Sequence, residues 1–212
     1  MTAAADASRR RLLVASLAGA TLLIAAAGLV AGSDGVSWHA FVQTWDSAEA
    51  RLIIGEIRAP RTLGAWLTGA LLGLAGAVAQ GLFRNPLADP YLLGSASGAS
   101  LAVVIVLASN LLAGQAAGLG IDGVAARVGL VGAAFAGALL GVLLTLALAR
   151  GAQQTTRLLL AGVVVGVVLA AISDLITTAA PDALRGKQTF MLGSTGFLGW
   201  GDCAGLAAGL AV

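Results

Sequence analysis

Five stretches of this chain, each about 20 residues long, hold little besides Leu, Ala, Val, Ile and Gly. A helix of about 20 residues is roughly 30 Å long, the thickness of a bilayer's hydrocarbon core. Of the 212 residues, 58% are hydrophobic and 10% are charged, against roughly 25% charged in soluble domains. A soluble fold of this size has too little interior to hide so much apolar surface, so lipid must solvate much of it. Inside lipid only helices and closed barrels satisfy their own backbone. The stretches lack the period-2 alternation of barrel strands. The expected fold class is therefore all-α, a polytopic transmembrane helical bundle with membrane lipid as its solvent.

The rest of the composition narrows the function classes. A formal net charge of +2 is too small to point to a nucleic-acid partner. The single Cys203 excludes an internal disulfide, and one histidine, His39, beside Trp38 makes a poor metal site. Thirty glycines would weaken a soluble helical protein. In a membrane, small residues let helix backbones approach closely.

Hydropathy predicts helices at about 12–31, 62–83, 92–113, 128–149 and 158–180, with a sixth starting near 203. The first follows Arg9, Arg10 and Arg11, which argues for a cytoplasmic N-terminus. Its apolar stretch is longer than the core of a secretory signal peptide, so it is expected to be a retained helix. Residues 33–57, with Trp38, His39, Trp45, Asp46 and Glu49, read as an external loop. Alternation then leaves six basic residues on each side, so the orientation leans on the first helix. In the second helix Gly69, Gly73, Ala77 and Gly81 recur every four residues, a face expected to press against other helices. Gly94, Gly98 and Ala102 continue that spacing, as do Gly162, Gly166 and Ala170. Pro181 is expected to stop the fifth helix, with a short interfacial helix or loop after it. Ala204–Val212 is too short to span, so a single transmembrane domain truncated at its C-terminus is expected.

No catalytic device is legible. There is no G-x-x-x-x-G-K-[ST] phosphate loop, no H-E-x-x-H and no cysteine cluster. The chain is expected to be no enzyme and to need no cofactor or metal.

The informative segment runs from Arg58 to Gly98. Arg58 and Arg61 flank Pro60, placed by this reading at a helix start, where its missing N–H costs least. Two guanidiniums at a membrane mouth can receive a partner's carboxylates, or can simply snorkel to the interface. Spacing alone leaves both open. Gln80, Arg84, Asn85, Pro86, Asp89 and Pro90 then form a helix break, since two prolines four residues apart forbid a regular helix. Asn85 and Asp89 each precede a proline and can bond nearby backbone, which favours a tight turn.

The run R-A-P-R-T-L-G-A-W-L-T-G, continuing through Q-G-L-F-R-N-P-L-A-D-P-Y-L-L-G-S-A-S-G-A, resembles the FecCD/vitamin B12-type permeases. These are membrane subunits of binding-protein-dependent ABC importers for iron-siderophores, haem and cobalamin. Ala59 departs slightly from the family's R-L-P-R. Leu158–Val163 and Met191–Ser194 are similar to further family landmarks. The resemblance implies a type II importer fold of ten helices, of which five and the start of a sixth are present here. It implies multi-pass placement in the inner membrane and a second permease subunit, expected as a homodimer. It also implies two cytoplasmic ATPase subunits and a periplasmic or lipid-anchored binding protein. It places Arg58 and Arg61 where that protein's acidic residues dock. The coupling loop that contacts the ATPase lies beyond this sequence.

Asp174 is the one acid within a predicted span, four residues after Ala170 in the Gly162–Gly166 series. An ionisable residue there is a functional candidate, so Asp174, with Ser173 and Thr177 nearby, is expected to line a pathway or reach interfacial water. A secondary transporter would need more coupling acids and internal repeats. A membrane-embedded enzyme or anchor would use the Asn85–Pro90 turn.

Overall fold

The computed structural model describes residues 3–32, 35–36, 51–112, 124–149 and 155–211. The proposed external loop around His39 lies outside the described residues, as does Arg150. Among the described residues seven α-helices occur: α1 (Ala3–Val30), α2 (Ala59–Phe83), α3 (Ser95–Leu112), α4 (Val124–Leu148), α5 (Thr155–Ala179), α6 (Pro181–Leu192) and α7 (Trp200–Ala211). A two-residue antiparallel ladder pairs β1 (Ala31–Gly32) with β2 (Gly35–Val36). Among the described residues four spans are long and apolar enough to cross a membrane: Ala7–Val30, Ile53–Phe83, Val128–Leu148 and Thr155–Ala179.

α1 and α4 begin earlier than the sequence reading, at Ala3 and Val124, and two other helix starts differ for local reasons. The second helix was expected from residue 62, but a π-helical turn over Ile53–Arg58 leads straight into α2. The resulting span, Ile53–Phe83, has 31 residues, roughly 46 Å at 1.5 Å per residue. It exceeds the hydrocarbon core, so one end must stand in the interface or the span must tilt. The third helix was expected from residue 92. A 3₁₀ turn at Pro90–Leu93 and a left-handed Gly94 intervene, and the apolar part of α3, Ser95–Asn110, is correspondingly short. Pro181 behaves as both stop and start: it ends α5 and is the first residue of α6, a position where its missing N–H removes no helical bond.

The chain divides into two compact units, Met1–Gly73 with Thr195–Val212, and Leu74–Ser194. In the second, α3 is the hub, packing on α4, α5 and α6. Its crossing with α4 is built from glycine. A Cβ on Gly98 would collide with Gly137 O, and one on Gly141 would lie 2.6 Å from Gly94 O. A Cβ on Gly162 of α5 would strike Leu92 O. The core around this crossing holds Val103, Leu107, Leu130, Ala134 and Ala183. A smaller cluster joins Ala79, Phe83 and Ala88.

Among the described residues nothing covers the expected packing face of α2. Nothing within 4 Å would meet a Cβ on Gly69, Gly73 or Gly81. The buried positions at the start of α2 are Pro60, Gly64 and Leu67. At about 100° per residue, Gly69 lies about 180° around the helix from Pro60. The periodicity was real, but among the described residues it marks an open face.

The two kinds of glycine should respond oppositely. Gly98→Ala in this chain should lower stability by about 1–3 kcal/mol, because backbone must move to admit a methyl group. Gly73→Ala should be neutral or stabilising by up to about 1 kcal/mol through helix propensity. Thermal unfolding of the detergent-solubilised chain measures both; equal shifts would contradict the close α3–α4 crossing.

Candidate functional site

The Arg58–Arg61 end of α2 is shaped by Pro60, which lies inside a running helix and not at its start. A proline ring there would strike the carbonyl four residues back, and it brings no N–H. The helix widens instead: Ala59 N–H reaches Ile54 O, five residues back. In that spacing Gly55 O would look to residue 60 for its donor, and proline has none. The Trp200 indole Nε1–H fills the gap, donating to Gly55 O at 3.1 Å. Cys203, three residues along the same face of α7, donates its thiol to Pro60 O at 3.2 Å.

Both arginines are engaged in the same unit. Arg58 Nη1 donates to Leu29 O and Val30 O, each at 3.1 Å. Those carbonyls belong to the last turn of α1, which has no helical donors of its own, and a cation also complements that end's partial negative charge. Arg61 Nη2 donates to Gly196 O at 2.7 Å. Arg58 is half-buried and Arg61 is exposed. The two guanidiniums tie α1 and the 196–203 segment to the start of α2.

At the other end of α2 the predicted break is a sequence of caps. Arg84 takes a left-handed conformation at φ 48°. Asn85 N–H donates to Gln80 O at 3.2 Å and Arg84 N–H to Gly81 O at 3.4 Å, the paired bonds of a Schellman motif. Asn85 Oδ1 then accepts from Leu87 N–H at 3.0 Å, and Asp89 Oδ1 from Tyr91 N–H at 2.7 Å. Pro86 and Pro90 sit where no donor is needed, with Pro90 opening the 3₁₀ turn. Gly94, at φ 78°, ends that turn in a conformation that favours glycine. The carbonyl of Leu93 is met by the fully buried Thr145, whose Oγ1 lies 2.9 Å from it and 3.0 Å from Gly141 O. Gln80, Arg84, Asn85, Pro86 and Asp89 are exposed around this rigid turn.

The three candidates on α5 separate. Ser173 is fully buried with no partner for its hydroxyl, and Thr177 is buried with its hydroxyl on Asp174 O at 3.0 Å. The Asp174 side chain is 72% exposed and accepts from Lys187 Nζ of α6 at 3.0 Å; that lysine is only 14% exposed. The expected stripe from Gly162 to Asp174 drifts, because each four-residue step turns about 40° too far. Twelve residues on, Asp174 is about 120° from Gly162, whereas Ser173 at eleven is within about 20°. Gly162 and Ser173 therefore share the buried face, and Asp174 faces outward to Lys187. Gly166 faces Ser97 Oγ at 3.6 Å from a built Cβ.

Lys187, Thr145, Trp200 and Cys203 were missed by sequence reasoning. Only one carried a signal: the N–H missing at Pro60 requires some outside donor, and a tryptophan is a natural one. Among the described residues no group of His, Cys, Asp and Glu could hold a metal.

Comparison with known proteins follows the same segments. The FecCD transport family matches residues 17–212. The vitamin B12 import system permease protein BtuC of Salmonella paratyphi A (strain ATCC 9150 / SARB42) is 39% identical over 183 residues, covering 85% of this chain and 52% of that protein. Its counterpart in Salmonella newport (strain SL254) is 38% identical over the same length. The chain thus spans about half the length of the curated relatives it matches. A solved structure, described as an inward-facing conformation of an ABC transporter assigned to the metal-chelate type, superposes with TM-score 0.71 at 20% identity. It covers 92% of this chain and 57% of the other, and at that identity it speaks for the fold alone.

The Gly55–Trp200 bond can be read by a double-mutant cycle. Trp200→Phe should cost about 1–3 kcal/mol by leaving a carbonyl unpaired. In a Pro60→Ala background, where residue 60 again has an N–H, the same change should cost less than half as much; identical costs in both backgrounds would refute the link. For the α5–α6 pair, Asp174→Asn should expose α6 amides to exchange more than Lys187→Met does. The first leaves a mostly buried ammonium without its carboxylate, and the second leaves only an exposed acid.

Proposed function

We propose that this chain, which belongs to the FecCD transport family, supplies the N-terminal half of a permease for a binding-protein-dependent ABC importer. The observation that carries the reading is the match of residues 17–212 to that family, joined to four spans of membrane-crossing length. The cargo class is a metal chelate or corrinoid: an iron-siderophore, haem or cobalamin. The importer moves it by alternating access, without chemistry on this chain. ATP is hydrolysed on two cytoplasmic partner subunits, and a second permease subunit, another copy of the same chain, completes the pathway. A periplasmic or lipid-anchored binding protein delivers the cargo.

The N-terminus is proposed to be cytoplasmic, from the triplet Arg9–Arg11 before α1. The Arg58–Arg61 end then faces the binding protein. Arg61 is exposed and, among the described residues, bonds through Nη2 alone, which leaves N–H groups for a docking carboxylate. Asp174 and Lys187 belong to the same outer side in this topology. The Arg84–Pro90 turn is cytoplasmic.

In membranes carrying the complete permease, its ATPase and its binding protein, uptake of labelled ferric siderophore, haem or cobalamin should require ATP. Arg61→Glu should weaken binding-protein affinity by about tenfold or more at low salt, and the difference should shrink as salt is raised. Unchanged affinity at low salt would remove Arg61 from docking. ATP-independent uptake driven by an ion gradient would favour the secondary-transporter reading.

A further inference from the structure

On the docking reading of Arg61, we propose that the 196–203 segment is a positioning element for that arginine, so that its closure on the start of α2 and the affinity of the binding protein are coupled. Every contact lies within the unit formed by Met1–Gly73 and Thr195–Val212. Two hydrogen bonds run from the segment to α2 and its π-turn, and one runs back. Trp200 Nε1–H donates to Gly55 O and the Cys203 thiol to Pro60 O, while Arg61 Nη2 donates to Gly196 O. Between them Leu198 packs on the buried face of α2, where a Cβ on Gly64 would lie 2.5 Å from its Cδ1. Pro60 and Cys203 are buried, so this seam is closed by the chain itself.

The segment is built to hold its shape. Leu198 N–H donates to Thr195 O at 3.2 Å, which makes a turn. Gly199 N–H donates to Asp202 Oδ2 at 2.9 Å, and Cys203 N–H to Gly199 O at 3.1 Å. A carboxylate in the first turn of α7 thus caps that helix's entry. The Gly196 carbonyl stands at a fixed place beside Arg61. A guanidinium has two hydrogen-bonding forks, Nε–H with one Nη2–H, and Nη1–H with the other. A carbonyl on Nη2 takes one hydrogen and leaves one fork whole, the two-pronged partner of a single carboxylate. An arginine already held in this way gives up less rotamer freedom on docking than a free one. Closure of the segment therefore raises affinity, and by linkage docking stabilises the closed segment by the same factor.

The test uses the complete permease and its binding protein. Trp200→Phe removes one bond of the seam and no charge. It should weaken docking by about fivefold when Arg61 is present, and by less than about twofold when Arg61 is already replaced by Gln. A purely structural loss would cost the same in both backgrounds. With wild-type permease, saturating binding protein should slow hydrogen exchange at the Cys203 amide by about fivefold, and Arg61→Gln at saturation should abolish the slowing. The wild-type exchange measurement decides the matter even where Trp200→Phe fails to assemble. Docking that weakens with Arg61→Gln, yet leaves Cys203 exchange unchanged or loses equally to Trp200→Phe in both backgrounds, would overturn the coupling and keep the docking reading. Docking indifferent to Arg61→Gln would overturn both.

Discussion

Inside a bilayer each backbone N–H and C=O must find its partner within the protein, and the irregular parts of this chain are organised by that demand. At several breaks in the helical ladder a named side chain takes the place of the missing donor or acceptor. Trp200 serves Gly55, Arg58 serves Leu29 and Val30, Arg61 serves Gly196, and Thr145 serves Leu93. Asn85 and Asp89 do the same for the N–H groups of Leu87 and Tyr91. Each bond closes one local gap, and together they fix the ends of α1, α2 and α3. An arginine in such a role is first a structural donor, and whatever it offers to a partner comes from the N–H groups left over.

The second constraint is distance. Helices in lipid gain little from hydrophobic exclusion and must hold together by close contact. Gly98, Gly137, Gly141 and Gly162 bring backbone against backbone in the Leu74–Ser194 unit. Leucines and valines on the outer faces of α4 and α5, such as Leu140, Val167 and Leu175, are left exposed for lipid or neighbouring protein. Among the described residues the buried polar side chains are small hydroxyls, and the fully buried Ser173 hydroxyl has no partner. Among the described residues the framework combines capped turns at helix ends, close glycine crossings between helices, and one ion pair joining α5 to α6.

Much of this was written in the order of residues. Long apolar runs dictated helices and their approximate positions, and the prolines and Asx residues of 85–90 dictated a turn. The boundaries that slipped did so for local reasons. Helix formers upstream of Pro60 continued through it because a π-turn relieves the clash, so α2 starts a full nine residues before residue 62 once its π-turn from Ile53 is counted. A four-residue repeat overshoots the helical turn, so Asp174 leaves the face of Gly162 while Ser173 keeps it.

Sequence by itself determined the solvent, the helical class and the Arg84–Pro90 break, since hydropathy, proline geometry and side-chain caps act over a few residues. Only tertiary structure decided which glycines are covered, which way Asp174 points, and that Trp200 and Lys187 are the partners. Those outcomes depend on groups brought together across 13 residues for Lys187 and Asp174, and 145 for Trp200 and Gly55. A short repeat fixes a face on a helix, but packing chooses what that face meets.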